Sequence, residues 1–413
     1  MRLGSVALKY ATRSLTRHSR RTILSMVGTG IGCAMALVAL SWMDGAIRMQ
    51  VRAIAESGAG HIRMVHRNWP ETQEDTLRLQ GLEEVLATVA ETPHLEHYSV
   101  RAHAKGLLAF GTRTAPAAIT GVLPKHEMAA NRILRRGALE GRYLEEDEEG
   151  AVVIGRTLAR RLDVMLDDAL YATLSGKDDI HSAMLRIVGI LDTGSQELDL
   201  AVCHITLADM QEITGIPGAG EISLVLSEER HSAAAKAHLT ETMPADNTVI
   251  TWREVNPSLA ANVDSDTAFM RLMALIVIVV VALGIMSAQL TAVLERRAEF
   301  AMLSALGMKT RQIVSMVMME AVVIGLGGAV VALGVGGSVS YYLATRGMDL
   351  SRWLDDDLGF ADVLFDPYLY GSFGVWLIGY ALAIAMATTI FATLYPAWKA
   401  AQVMPADALR TTG

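Results

Sequence analysis

Charged and apolar residues alternate in a short segment, 295–307, that separates two long apolar stretches of the sequence. The segment carries two carboxylates and two guanidinium groups, followed by apolar side chains at helical spacing. This pattern predicts a short amphipathic helix that a glycine ends. Such a helix is suited to docking into a groove on a soluble partner, with the charges setting its register; the alternative is a loop lying on the bilayer surface. The residues that we assign to this docking surface are Glu295, Arg296, Arg297, Glu299, Phe300, Leu303, Leu306 and Gly307.

Glu320 is the one charged side chain in the apolar stretch 312–345. Charged residues at membrane depth are costly, and those that occur are usually paired or functional. Glu320 also lies near the beginning of the stretch, from where a carboxylate can reach the water interface. The sequence leaves both interpretations open.

Catalytic motifs are missing from the sequence. The Gly176–Lys177 pair is followed by Asp178 and has no upstream glycine, so it is not a phosphate-binding loop. There is no His-Glu-x-x-His helix, no Cys-x-x-Cys pair and no Gly-x-Ser-x-Gly elbow. His94 and His97 have no evident third ligand, and we expect them at the surface. The sequence therefore predicts a protein that is not an enzyme and binds no metal or cofactor.

Four long apolar stretches must position these residues. The chain has 413 residues, of which 52% are hydrophobic, and its net charge of −8 argues against nucleic acid as a partner. A membrane-spanning helix needs about 20 apolar residues. The stretches 22–43, 268–294, 312–345 and 367–398 satisfy that length, and the third is rich in glycine, which suits close helix packing in lipid. We therefore predict a multi-pass membrane protein.

The charges beside the spans predict the orientation of the chain. Basic residues cluster before the first span (1–21), in the loop 295–311 and in the tail 399–413, whereas the loop 346–366 is acidic. Basic loops remain in the cytoplasm. Both termini and the 295–311 loop are therefore predicted to be cytoplasmic. The segment 44–267 and the 346–366 loop are predicted to lie on the other side.

The segment 44–267 is long enough for one or two folded domains. Its pattern mixes short β-branched runs bounded by Gly or Pro with short helical stretches. We predict an α-helical membrane protein with four transmembrane helices and a large α+β extracytoplasmic (periplasmic) domain between helices 1 and 2.

Several motifs resemble those of MacB-type (FtsX-like) ABC transporter permeases. The segment 294–313, LERRAEFAMLSALGMKTRQI, resembles the family's coupling helix between spans two and three. The tail 395–409, YPAWKAAQVMPADAL, resembles its closing motif. The opening, with Arg13, Arg20, Arg21 and Gly28-x-x-x-Gly32, resembles its first amphipathic helix and span. Glu320 falls where the family usually has a Glu early in span three.

This resemblance implies a permease of the bacterial inner membrane that works with two copies of a separate ATPase subunit, which bind the ATP and Mg. A second permease subunit, identical or related, is also implied, with membrane lipid around both. Closure of the ATPases would push the coupling helices and draw spans one and two together. The implied mechanism is mechanotransmission to the periplasmic domain without a channel.

The residues 60–62 and 188–199 resemble the lipoprotein-releasing (LolC/LolE-like) branch, which implies lipoprotein cargo and a periplasmic carrier. Val38, Met43, Met273 and Ile276, on spans one and two, are expected to line the acyl-chain site or a dimer contact. Two alternatives remain open. One is an exporter of peptides, antibiotics or toxins, and the other is an FtsX-like regulator of a cell-wall hydrolase. A membrane scaffold that has no ATPase would contradict the coupling motif.

Overall fold

The computed structural model describes residues 19–176, 179–349, 359–360, 363–364 and 368–402. The predicted N-terminal amphipathic segment, most of the acidic loop and the tail beyond 402 lie outside these residues. The helices, in chain order, are α1 (Ser19–Ile54), α2 (Trp69–Thr72), α3 (Leu82–Ala90), α4 (Pro124–Ala130), α5 (Arg132–Arg136), α6 (Arg156–Leu162), α7 (Gln196–Ala201), α8 (Leu207–Thr214), α9 (Ser232–Thr242), α10 (Trp252–Val255), α11 (Pro257–Glu295), α12 (Arg297–Ala305), α13 (Thr310–Arg346) and α14 (Trp376–Ala401). The strands are β1 (Ile62–His66), β2 (Leu95–Phe110), β3 (Arg113–Val122), β4 (Ala138–Gly141), β5 (Ala151–Gly155), β6 (Ala169–Ser175), β7 (Ile180–Asp192), β8 (Cys203–Thr206), β9 (Glu221–Leu226) and β10 (Asn247–Thr251), with short two-residue strands at Met348–Asp349, Gly359–Phe360, Val363–Leu364 and Tyr368–Leu369.

Within the described residues, four helices are long and apolar enough to cross a membrane: α1, α11, α13 and α14. The large α+β domain lies between the first and the second of them, so the predicted fold class is confirmed. Two of the helices extend well beyond the predicted spans. Helix α1 continues to Ile54, and α11 begins at Pro257. Val51, Ile54 and Val263 in these extensions are buried, which explains why the helices continue past the apolar stretches.

The predicted beginning of the fourth span, at residue 367, is wrong. Helix α14 begins at Trp376, and the residues before it form a non-helical strap along α1. The amide of Ser372 donates to the carbonyl of Ser41 at 2.8 Å, and the Ser41 hydroxyl donates to the carbonyl of Ser372 at 2.6 Å. The strap also passes so close to Gly45 that a Cβ there would lie 2.1 Å from the carbonyl oxygen of Tyr370. These contacts satisfy the backbone of the strap outside a helix, which hydropathy alone does not detect.

Small residues bring the membrane helices together. A Cβ at Gly30 of α1 would lie 2.4 Å from the Cβ of Val331 on α13, and one at Gly32 would lie 2.8 Å from Val281 on α11. Cys33 and Ala329 belong to one buried cluster with Ala34, Ala332 and Ala385, which joins α1, α13 and α14. Lipid provides no hydrophobic force between helices, so close backbone approach of this kind is what holds such a bundle together.

The α+β unit is built on one sheet of ten described strands. Strands β10, β1, β9 and β2 form an antiparallel sheet in that order, with α3 after β1 and α9 after β9, which is a split β-α-β arrangement. Beyond β2 the pairing continues through β3, β8, β5, β7 and β6, and β6 pairs again with β2. This part of the sheet therefore closes into a ring of six strands. Its buried side chains include Leu108, Ile119, Ile154, Leu170 and Ile205.

Candidate functional site

The predicted docking segment forms helix α12, and it connects to α11 through a single non-helical residue, Arg296. The Arg296 side chain is 8% exposed, and its guanidinium bonds two carboxylates. Nη1 lies 2.8 Å from Oε2 of Glu320 on α13, and Nε lies 3.0 Å from Oε2 of Glu299 on α12. The guanidinium also stands 5.3 Å from the centre of the Phe300 ring. One side chain thus connects the end of α11, the docking helix and α13.

Glu320 is paired with Arg296. Its side chain is only 18% exposed, and Arg296 supplies the opposite charge. A buried carboxylate without such a partner would carry a heavy desolvation cost. The pairing joins residues 24 positions apart, and it was missed in the sequence, where Arg296 was assigned to the docking surface.

The prediction that the whole apolar stripe of α12 docks on a partner is wrong. Phe300 is 1% exposed and belongs to a buried cluster with Val293 and Ile313, together with Met316, Val317, Ala397 and Ala400. Leu303 is half-buried and packs against the same cluster. These side chains hold α12 against the ends of α11, α13 and α14, because covering Phe300 inside the protein removes more apolar surface from water than leaving it at the surface.

The exposed face of α12 carries a different apolar pair, Met302 and Leu306, which are 63% and 81% exposed. They lie four residues apart, so they share one face, and Glu299 is exposed beside them. Glu295, the last residue of α11, and Arg297, the first residue of α12, are exposed, and Gly307 follows the end of α12 with φ of 89°. We call Met302, Leu306, Glu295, Arg297 and Glu299 the coupling face. Met302 was missed in the sequence because the stripe was assigned through Phe300.

The four residues expected at an acyl-chain or dimer site lie on two helices with unequal exposure. Val38 and Met43 on α1 are half-buried, whereas Met273 and Ile276 on α11 are 39% and 46% exposed. Helix α11 has few neighbours along its apolar stretch, and further apolar side chains on it are exposed. They are Phe269, Leu272, Leu275, Val279, Val280 and Leu283.

The stretch 188–199 covers the end of β7, a hydrogen-bonded turn at 193–195 and the beginning of α7. The Asp199 carboxylate accepts from the amide of Thr193 at 2.9 Å and from its hydroxyl at 2.8 Å. Gly194 has φ of 81°, a conformation that favours glycine. A Cβ at Gly155 would lie 2.1 Å from the carbonyl oxygen of Asp199, so this turn needs glycine at two positions.

Several polar side chains of the α+β unit lie in pairs. The His204 Nδ1 is 2.9 Å from the Tyr143 hydroxyl, and burial lowers the pKa of His204 to about 4. Burial also raises the pKa of Tyr143 well above its usual value. His94 stacks on His231 with ring centres 3.9 Å apart. Among the described residues, no three His, Cys, Asp or Glu side chains are grouped as metal ligands.

Comparison with known proteins places these features in a family. Residues 22–242 match the MacB-like periplasmic core domain, and residues 271–405 match the FtsX-like permease C-terminal region. The lipoprotein-releasing system transmembrane protein LolC of Xylella fastidiosa is 22% identical over 98% of both chains. LolC of Neisseria meningitidis is 23% identical over 94% of both chains.

Other relatives carry a different name. The macrolide export ATP-binding/permease protein MacB of Hyphomonas neptunium is 25% identical over 84% of this chain and 54% of its own length. Among solved structures, the periplasmic region of MacB from Actinobacillus actinomycetemcomitans covers 49% of this chain and 94% of that structure, with 12% identity and a TM-score of 0.36.

Proposed function

Because this chain belongs to the family of ABC transporter permeases with a MacB-like periplasmic core domain and an FtsX-like C-terminal region, we propose that it extracts lipoproteins from the outer leaflet of the inner membrane for transfer to the outer membrane. The observation that carries this proposal is the end-to-end similarity to LolC proteins, over 98% of this chain and 98% of the relative. The stretch 188–199 supports it, since that stretch resembles the lipoprotein-releasing branch. A soluble periplasmic carrier would receive the cargo.

The energy for extraction would come from two copies of a separate ATPase that dock on the coupling face. Met302 and Leu306 offer an exposed apolar patch, and the adjacent charges of Glu295, Arg297 and Glu299 would set the register of docking. The ATPase would hold the ATP and Mg, and this chain would remain non-catalytic. With this face on the ATPase, both termini lie in the cytoplasm and the α+β domain lies in the periplasm.

The packing of α12 suggests how a push on the coupling face would travel. Phe300 is enclosed by residues of α11, α13 and α14, and Arg296 bonds Glu320 of α13. Close-packed interiors transmit displacement because they have little free volume. A push on α12 would therefore move the cytoplasmic ends of three spans together. Spans one and two of this chain and of a second permease subunit would then squeeze the acyl chains out from beside Val38, Met43, Met273 and Ile276.

The test begins with gentle purification of the tagged chain from its native membranes and identification of the proteins that accompany it. The recovered complex is then placed in proteoliposomes with an acylated lipoprotein, and release into the soluble fraction is measured with and without ATP. We expect release that requires ATP, an accompanying ATPase and the acyl chains of the substrate. A matched substrate whose lipidated cysteine is replaced by serine serves as the control. Release without ATP, or equal release of the control, contradicts the proposal.

Export of small molecules or peptides is the second candidate, because MacB of Hyphomonas neptunium is 25% identical to this chain. It predicts that a macrolide, rather than a lipoprotein, stimulates ATP hydrolysis by the purified complex. Recovery of a cell-wall hydrolase, with no stimulation by either substrate, would instead indicate regulation without transport.

A further inference from the structure

The helix of the first span does not pass smoothly into the α+β unit. After Ile54, residues Ala55–Ala59 form a wider π-helical turn, in which Gly58 has φ of 110°, and Gly60 follows with φ of 67°. These are conformations that glycine adopts readily, and π-turns are frequent at functional sites. The chain then enters β1. We call residues 52–60 the stalk joint.

An acidic side chain ties the stalk joint to helix α5. The Glu56 side chain is 10% exposed, and its Oε2 lies 3.5 Å from Nη2 of Arg135 and 4.0 Å from Nη1 of Arg132. Its other oxygen accepts from Nε of Arg52, one turn earlier on α1, at 2.7 Å. Arg52 in turn reaches Oε2 of Glu96 on β2 at 3.0 Å. Glu56 and Arg52 thus form two ionic ties from the stalk to separate elements of the domain.

The backbone of the joint is held by a third tie. Nη1 of Arg101 on β2 donates to the carbonyl of Gly58. The same guanidinium donates two hydrogen bonds, of 2.8 and 2.7 Å, to the carboxylate of Glu127 on α4. A Cβ at Gly58 would lie 2.9 Å from Arg101 Nη1, so the glycine also makes room for the guanidinium. Glu127 and Arg101 are 1% and 7% exposed, which keeps water away from this tie.

The beginning of α11 contacts the end of α1 through apolar side chains. Trp252, at the beginning of α10, is 2% exposed and belongs to one buried cluster with Val51 and Ile54 of α1. Ala260 and Val263 of α11 complete the cluster. The stalk joint therefore has an ionic side, which holds it to β2, α4 and α5, and an apolar side, which holds the end of α1 to the beginning of α11.

Buried ion pairs of this kind are a weak way to gain stability, because the desolvation of the charges offsets most of their attraction. What they provide is geometry: a bidentate guanidinium fixes both distance and direction. We propose that Glu56 and Arg101 are positioning residues that lock the end of span one to the α+β domain, so that movement of α1 becomes movement of that domain. The inference rests on the proposed function and adds the residues through which it acts.

The test uses the full complex with its ATPase in proteoliposomes. The variant Glu56→Gln removes the charge of the α5 tie while keeping the shape of the side chain. We expect ATP hydrolysis to stay within about twofold of the parent and substrate release to fall at least about tenfold, the factor that corresponds to loss of one charge-assisted contact. Glu148→Gln is the matched control, because Glu148 pairs with Arg142 at 2.7 Å in the same domain but away from the stalk joint.

A second variant distinguishes the loss of coupling between ATP hydrolysis and substrate release from misfolding of the domain. If Glu56→Gln unfolds at a lower temperature than the control, Arg135→Gln replaces it, since that arginine is 36% exposed and its loss leaves Arg52 and Arg132 beside Glu56. Normal release in Glu56→Gln and Arg135→Gln, or a parallel fall in hydrolysis and release, overturns the inference while the proposed function stands. A parental complex that shows no ATP-dependent release overturns both.

Discussion

Glu320 pairs with Arg296, the residue just before α12. Substitution can measure what this ion pair contributes to stability. Glu320→Gln removes a charged partner of Arg296, which is 8% exposed, while the more exposed Glu299 stays in place. We expect a loss of about 1–3 kcal/mol in the free energy of unfolding, because a buried charge loses a partner. Thermal unfolding of the purified protein in detergent measures it. Glu299→Gln is the control and should cost less than about 1 kcal/mol, since Glu299 is 47% exposed. Equal losses in the two variants would contradict the assignment.

His204 makes the α+β unit sensitive to acid. Burial lowers its pKa from 6.5 to about 4; nearby Glu127 raises it, and Arg101 and His103 lower it. Between these two values the unfolded chain binds a proton that the folded chain does not, so stability falls as the pH falls from 6.5 towards 4. His61, with a pKa of about 4, adds to the same slope. The pKa values of Glu127 and Glu221 are lowered from 4.5, so their contributions are lost only at lower pH.

The unfolding temperature should therefore fall between about pH 7 and about pH 5, with His204 contributing about 2 kcal/mol at the lower pH. Thermal scans across this range measure the change. The variant His204→Asn should have a shallower slope than the parent, while His66→Asn serves as a control at a half-buried position. A slope unchanged in His204→Asn would count against the assignment.

Helix α12 has an exposed face and a buried face, to which we assign ATPase docking and packing respectively, and substitutions should separate the two. Leu306→Glu on the coupling face should weaken binding of the ATPase without changing the unfolding temperature, because Leu306 is 81% exposed. Phe300→Ala should instead destabilise the protein by about 3–5 kcal/mol, since it empties a buried site. Pull-down of the ATPase measures the loss of binding, and thermal unfolding measures the loss of stability. Loss of stability in Leu306→Glu, or none in Phe300→Ala, would mean that the two faces are assigned wrongly.

Helix α1 offers two glycines for a test of packing between the spans. Gly30→Ala places a methyl group 2.4 Å from the Cβ of Val331, so the helices must separate, and we expect a loss of about 1–3 kcal/mol. A methyl group at Gly28 meets no atom within 4 Å, so Gly28→Ala should leave the unfolding temperature unchanged or raise it slightly. Thermal unfolding of both variants in the same detergent compares them. Equal behaviour would contradict the observed contact between α1 and α13.

The orientation that we propose from the charges beside the spans is open to direct labelling. Cys33 and Cys203 are free and buried, so an added surface cysteine should give the only strong signal. We expect Met165→Cys, at a residue 73% exposed in the α+β unit, to react with a membrane-impermeant maleimide in intact spheroplasts. Lys309→Cys, beside the docking helix, should react only after the membrane is opened. The reverse pattern would invert the proposed topology.

The four spans, the α+β class of the intervening domain and the position of the docking helix could all be predicted from the sequence. Each depends on local pattern: the length of an apolar stretch, the alternation of a strand or the charges next to a span. The same local reasoning failed at 368–375, because a strap bonded to Ser41 is as apolar as a helix. It also failed at Phe300, because an apolar stripe does not reveal which surface covers it.

Only the tertiary structure decided which distant residues meet. Arg296 pairs with Glu320 across 24 residues, Arg101 reaches Gly58 across 43, and Arg135 reaches Glu56 across 79. The sheet closes through β2 and β6, whose pairing likewise joins distant segments. Such contacts depend on how helices and strands pack, since a charge finds its partner through the position of the backbone that carries it. The sequence by itself determined that four segments are long and apolar enough to span a membrane, and the packing decided where those helices begin and end and which side chains join them to one another and α1 to the domain.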